Sequence, residues 1–313
     1  MTLQQLEYII ALARHRQFAK AADACGVTQP TLSAMIQKLE EELGAKIFER
    51  RKQPVTPTPV GLIILERAEE ILQRAQRLKE AVNEAQHSLK GTFSIGILPT
   101  IAPYLLPRFL PQLMQTYPDT DVRFIEMKTA EIKRALDQNE IDAGIVAELE
   151  DMDRFSAHTL FYEQFLAYIA ESDPLAAKSS IKSADLKDEY LWLLDEGHCF
   201  RDQLVKFCQL KAASHSKKAY NLGSIETFMR LVEKGKGVTF IPELAMLQLD
   251  ESRRPLVRPF AIPVPTRKIV LLTNKDFIRT ALRDLIVEEV RKVVPRDMLK
   301  KANPTLIRRK EAT

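Results

Sequence analysis

Between Thr58 and Gly91 apolar residues recur at steps of four and three, at Ile64, Ala68, Ile71, Ala75, Leu78, Val82, Ala85 and Leu89. A single helix carrying such a heptad stripe leaves its apolar face in water unless another helix covers it. Thr58 as N-cap and Pro59 at the first helical position start the helix, and Gly91 ends it. The pattern predicts a rod that separates two folded parts and pairs with the same helix of a second copy, so the chain is at least a homodimer. The alternative is a helix packed on its own domain, which the early stop at Gly91 disfavours.

The rest of the composition fits that division. A chain of 313 residues exceeds one usual core, so two or three domains are expected. Hydrophobic content of 45% and charged content of 28% exclude a disordered tail protein. No uncharged apolar run approaches the roughly 18 residues of a membrane helix. The start "MTLQQLEYIIALARHRQ" lacks a basic segment leading into an apolar stretch and a cleavage site, so a cytoplasmic protein without membrane partners is expected. Three cysteines cannot form a full structural framework, and cytosolic reductants keep thiols free, so any bridge would be a switch. A net charge of +4 is modest, and nucleic-acid binding must be argued locally.

The local argument lies before the rod. Leu3, Leu6, Ile9, Ile10 and Leu12 have helical spacing, and Ala21 and Ala22 in "FAKAADAC" allow close helix contact. Gly26 then supplies a tight turn, Thr28 an N-cap, Pro30 a first-turn proline, and Leu32, Met35, Ile36 and Leu39 a second apolar stripe. In a helix-turn-helix the second helix offers its N-terminal residues to base edges in the major groove. Here the outward residues are Thr28, Gln29, Pro30, Thr31, Ser33, Ala34, Gln37 and Lys38, short hydrogen-bonding groups with two longer arms. Arg50, Arg51 and Lys52 follow beside a proline-rich turn, a wing placed to touch phosphates or, alternatively, a solvated basic turn. Cys25, just before the turn, is read as packing.

From "FAKAADACGVTQPTLSAMIQKLEEELGAKIFERR" to "TPTPVG" the chain resembles the winged helix-turn-helix of LysR-type transcriptional regulators, over Met1 to about Gly61. After it, "FSIGIL", "DVRFIE" and "DAGIVA" alternate with helical runs at Tyr104 to Tyr117 and Ala130 to Asn139, and "FLAYIA", "LWLL", "GVTFIP" and "KIVLLT" precede a final helix from about Lys275 to Val294. This predicts an α/β domain with mainly parallel strands. The resemblance extends over about Gly91 to Pro295 through "IDAGIV" and "GKGVTFIP", and implies a two-lobed domain like periplasmic binding proteins. The expected division is 1–58 for the winged helix-turn-helix, 59–90 for the dimerisation helix and 91–313 for the regulatory domain. Its lobes would be about 91–162 with 268–300, and about 163–267. Ligands gather beyond the carboxyl ends of such strands, where Pro99, Thr100 and Thr129 stand.

In "GHCFRDQLVKFC" Cys199 and Cys208 lie nine residues apart. Read as a helix, the segment aligns Phe200, Leu204 and Phe207 and puts Cys199 at the positive end beside His198 and Arg201. A helix N-terminus, a cationic neighbour and partial exposure together favour the thiolate. Nine residues of helix separate the Cα atoms by about 13 Å, whereas a disulfide needs roughly 4.4 to 6.8 Å. A bridge therefore requires the segment to unwind, which suits a switch.

"GHCFRDQ" followed by "FC" is similar to the hydrogen-peroxide-sensing OxyR branch of the LysR-type regulators. The resemblance implies a peroxidatic Cys199 and a resolving Cys208, with Thr100, Thr129, His198, Arg201 and Asp202 around the peroxide. It also implies a non-enzymatic activator acting on a double-stranded operator, with no cofactor or metal. Its partners would be RNA polymerase and a cellular thiol reductant, and its dimers would pair into a homotetramer. Thr100 and Thr129 could instead be N-caps, His198 a structural hydrogen-bonding group, and Arg201 only the partner of Asp202. Some relatives carry a further histidine just before the segment corresponding to "SIET"; "AYNLGSIET" lacks it, and His215 is assigned no role. The basic tail "KKANPTLIRRKEAT" is read as a solvated end or an auxiliary phosphate contact. Competing functions are a LysR-type regulator of a small metabolite bound between the lobes, a thiol peroxidase, which leaves the helix-turn-helix unexplained, and a free-standing solute-binding protein.

Arg50→Ala is expected to weaken binding to all DNA sequences about equally and to lower the salt slope by about one unit, whereas Gln29→Ala should alter sequence preference. Salt titrations with footprinting on mutated operators test this, and the reverse assignment would overturn the docking.

Overall fold

The computed structural model describes residues 1–49, 54–85, 89, 91–186, 189–194, 199–208, 223–235 and 237–300. It divides into two compact units, Met1–Gln86 and His87–Thr313. Arg50, Arg51, Lys52, His198, His215 and the tail from residue 301 lie outside the described residues.

In the first unit, α1 (Leu3–His15), α2 (Phe18–Ala24) and α3 (Gln29–Leu43) precede a two-stranded wing of β1 (Phe48–Glu49) and β2 (Thr56–Pro57), paired antiparallel. Local chemistry sets the boundaries. Gly26 takes a φ of 65°, a left-handed conformation that turns α2 into α3 without a Cβ to strain it. Thr28 caps α3, its side chain accepting from Thr31 N, and Pro30 stands in the first turn. Leu6, Ile9, Leu12, Ala21, Ala22, Leu32, Ile36 and Leu39 close the core. Leu3, read as core, is exposed, and Gln5 is buried in α1 instead, donating from Nε2 to Met35 O at 3.2 Å.

The rod is α4 (Pro59–Ala85), with the Thr58 hydroxyl accepting from Gly61 N at 2.8 Å. Gly61 is required here, because a Cβ would lie 2.0 Å from Ile47 O. The stripe divides along its length. Ile64 and Ala68 pack, with Leu65 and Leu72, onto the core of their own unit. Ile71, Leu78 and Val82 are exposed, together with Val60, Leu62 and Ile63. The helix packed on its own domain therefore holds for the first turns only. Leu89 is not on this helix; it packs against the core of the second unit. The side chain of Ala85 lies outside the described residues.

The second unit runs β3 (Gly91–Ile97), α5 (Ala102–Thr116), β4 (Thr120–Glu126), α6 (Thr129–Asp137), β5 (Ala143–Ala147), β6 (Phe155–Ile169), α7 (Cys199–Cys208), α8 (Ile225–Lys234), β7 (Val238–Pro242), α9 (Glu243–Met246), β8 (Val257–Pro259), β9 (Thr266–Asn274) and α10 (Thr280–Val293). The sheet order is β4-β3-β5-β9-β6-β7, with β8 also on β6. Among the named strands β3 pairs parallel with β4 and β5; β9 lies antiparallel to β5 and β6, and β6 antiparallel to β7 and β8. The mainly parallel expectation is thus corrected. The cause is β6, whose Phe155–Gln164 half pairs with β9 and whose Phe165–Ile169 half pairs with β7 and β8. One strand leaves the first lobe and builds the second, and β9 returns beside it. "LWLL" is no strand: Leu191 makes a single bridge to Val238.

Leu78→Asp is expected to leave the monomer fold intact, because the side chain is 70% exposed, while moving sedimentation toward monomer. An unchanged dimer would refute pairing through α4.

Candidate functional site

Cys199 and Cys208 are the first and last residues of α7, and both are free thiols. The helix forms because Phe200 and Leu204 are buried on one face with Phe207 packed beside them. The Phe200 ring lies 4.7 Å from that of Phe165 on β6, and Phe207 meets Phe260 edge-on at 6.3 Å. The sequence expected Cys199 to be partly exposed; it is 6% exposed, and Cys208 4%. Burial pushes the Cys208 thiol up, against a hydrogen bond with Ser183.

Sequence reading missed the group that positions this helix. Arg267 of β9 is 2% exposed, and its guanidinium stacks over Phe200 at 4.8 Å and over Phe165 at 5.7 Å. Its Nε donates to Glu163 Oε1 at 2.8 Å, its Nη1 to Thr100 Oγ1 at 3.1 Å and its Nη2 to Thr100 O at 3.2 Å. Burial raises the Glu163 carboxyl, while the guanidinium 2.7 Å away and the Leu244 N–H pull it back. A buried cation thus joins the residue after Cys199 to Thr100. The signal in the sequence was only a charged pair inside two apolar strands, 104 residues apart.

The two threonines share an edge. Ile97 and Glu126 are partners in the β3–β4 register, and each threonine comes three residues after one of them. Neither acts as an N-cap. Ile101 precedes α5, and the Thr100 hydroxyl is taken by Arg267. Thr129 is the first residue of α6, and its buried Oγ1 has no hydrogen-bond partner among the described residues. A buried hydroxyl left so costs about 1–3 kcal/mol, which a small polar ligand would recover. Arg201 and Asp202 stand 3.7 Å apart as an ion pair, Asp202 exposed and Arg201 half-buried. The pairing read as the bland alternative is therefore present, and Asp202 is turned outward.

On the other unit, Thr28, Gln29, Pro30, Thr31, Ala34, Gln37 and Lys38 are exposed and Ser33 is half-buried. Thr28 and Thr31 hydroxyls are 2.8 Å apart, and Gln37 Nε2 donates to Glu41 at 2.9 Å. The first helical turn thus presents pre-ordered hydroxyls and an exposed Gln29 arm. Glu40, unremarked in the sequence, accepts from Ile47 N at 2.9 Å and Phe48 N at 3.3 Å and so fixes the base of the wing on α3. Cys25 is half-buried at the edge of this core, and burial raises its thiol.

Residues 3–62 match the bacterial regulatory helix-turn-helix of the lysR family, and residues 86–294 match the LysR substrate binding domain. The chain belongs to the LysR family. OxyR proteins are among its relatives. The chain is 36% identical over 272 residues to the DNA-binding transcriptional dual regulator OxyR of Escherichia coli, covering 87% of this chain and 89% of that one. Full-length OxyR from Pseudomonas aeruginosa, with a cysteine changed to aspartate, superposes with a TM-score of 0.73 at 35% identity over 94% of this chain and 99% of that one. A hydrogen-peroxide-bound cysteine mutant of Corynebacterium glutamicum OxyR gives 0.62 at 29% identity, over 93% and 92%. This LysR-family chain is of the OxyR type.

Arg267→Met is expected to lower unfolding stability by about 3–5 kcal/mol, because it strands the Glu163 carboxylate in the interior. The double variant Arg267→Met, Glu163→Leu should recover most of that in a denaturant titration. An additive double loss would show that the pair is not the site's anchor.

Proposed function

We propose that this chain is a hydrogen-peroxide-responsive, DNA-binding transcriptional activator of the cytoplasm, switched by a reversible Cys199–Cys208 disulfide, and not an enzyme. The observation that carries the reading is two free thiols at opposite ends of one ten-residue helix. The thiolate of Cys199 attacks one oxygen of hydrogen peroxide; the O–O bond breaks, hydroxide leaves and takes a proton to become water, and Cys199 becomes a sulfenic acid. Thr100, Thr129 and Arg267 supply a buried polar edge for the peroxide and the departing oxygen. His198 and Arg201 would assist at the helix start, with Asp202 held by Arg201. Cys208 then condenses with the sulfenic acid, forming the S–S bond and releasing a second water.

That condensation cannot occur while α7 stands, because about 13 Å of helix exceeds the roughly 4.4–6.8 Å a disulfide allows. Oxidation therefore dismantles α7 and strips Phe200 from Arg267. A dithiol reductant resets the helix. The chain pairs through Ile71, Leu78 and Val82 of α4, dimers join into a homotetramer, and two recognition helices address half-sites of a double-stranded operator through Thr28, Gln29, Pro30, Thr31, Ser33, Gln37 and Lys38. Arg50 and Arg51 hold phosphates, and the altered spacing is read by RNA polymerase.

Cys199→Ser should abolish the response to peroxide, with footprint and fold unchanged. Cys208→Ser should form a dimedone-trappable sulfenic acid without the rearrangement. Mass spectrometry of alkylated protein and paired footprints check both, and a Cys199→Ser variant that answered peroxide like wild type would sink the reading.

A further inference from the structure

The lobes of the second unit meet through a hydrogen bond that the peroxide chemistry does not use. Tyr104, on the first turn of α5 in the first lobe, is 2% exposed, and its hydroxyl donates to Glu226 Oε1 of α8 in the second lobe at 3.0 Å. Gln248 Nε2 donates to Tyr104 O at 3.1 Å and to Pro103 O at 3.3 Å, so the same turn is held twice. Burial and the nearby Glu226 and Glu163 carboxylates push the phenol up, and it remains a donor throughout the physiological range.

The second lobe holds α8 along its length by Ile225, Phe228, Met229 and Val232. At its far end an identical chemical pair, Tyr168 hydroxyl to Glu233 Oε1 at 2.9 Å, stays inside that lobe. The first turn of α8 leans on α7 instead. Ile225 and Phe228 line one small apolar crevice with Phe200, Arg201 and Leu204 of α7. When α7 goes, that turn loses a wall of the crevice.

We propose that the Tyr104–Glu226 hydrogen bond is an interlobe latch that stabilises the reduced arrangement and opens when the Cys199–Cys208 disulfide dismantles α7. The latch rests on the disulfide reading of the previous section. It belongs to the dithiol state, so its removal disfavours that state alone. The disulfide should then form more readily and resist reduction.

The test equilibrates the full-length protein against glutathione, in which protein dithiol and oxidised glutathione give protein disulfide and two reduced glutathiones. Tyr104→Phe should raise the oxidation equilibrium constant about tenfold, equal to about 30 mV more negative for a two-electron couple. The rate of Cys199 attack on peroxide should stay within twofold of wild type, and the condensation step should accelerate. Tyr168→Phe removes the same chemistry from the other end of α8 and should leave the equilibrium within twofold, although both variants lose some thermal stability. Glu226→Ala should match Tyr104→Phe, and the double variant should add nothing further. Equal shifts from Tyr104→Phe and Tyr168→Phe, no shift from Tyr104→Phe, or additive effects of Tyr104→Phe and Glu226→Ala would each overturn the latch with the switch intact. A wild type that forms no Cys199–Cys208 disulfide would overturn the switch, and the latch with it.

Discussion

Arg267 and Glu163 face each other where β9 and β6 cross between the lobes, both 1% exposed in their side chains and 2.7 Å apart. Desolvation largely cancels the Coulomb attraction of such a pair, so its value lies in what it positions. The guanidinium has five fixed donors and a flat face, and the site uses both. Its edges hold Glu163 and both the hydroxyl and carbonyl of Thr100; its face holds the rings of Phe200 and Phe165. A lysine would offer neither the fork nor the face. The helix carrying the cysteines therefore docks against a group that also grips the first lobe.

A helix that rests on such a dock is stable but replaceable. Burying Phe200 and Leu204 contributes about 1.5–3 kcal/mol each, and one stacked cation adds about 1–2 kcal/mol. These are sums that the chemistry of peroxide reduction can exceed, which is what a switch requires of the state it leaves. In the first turn, the exposed Asp202 and the half-buried Arg201 match a helix seated on one face only.

The first unit meets the opposite demand, since its recognition helix must not change shape. Glu40 illustrates how that is done: a carboxylate 2% exposed ties α3 to the backbone leading into β1, so the two elements keep one geometry. The rod α4 joins this unit by its first turns through Leu65 and Ala68, and leaves Leu78 and Val82 uncovered beyond it. One helix thereby belongs to a domain at its start and leaves an apolar face exposed further on.

Legibility in the sequence follows how far apart the cooperating residues lie. Helix α3, its Thr28 cap, the Gly26 turn, the start of α4 at Thr58 and Pro59, and the separation of the two thiols by α7 are all set by residues within a few positions of one another, so periodicity and capping chemistry determined them. The OxyR-like "GHCFRDQ" was likewise readable as a local string. Tertiary structure alone decided the antiparallel course of β6 and β9, the demotion of "LWLL" to a single bridge, the division of the α4 stripe, and the burial of Cys199. It also decided that Arg267 meets Glu163 and Thr100, and that Tyr104 meets Glu226. Those pairings join residues more than a hundred positions apart, and the free energy that selects them is burial shared among strands and helices that no local window contains.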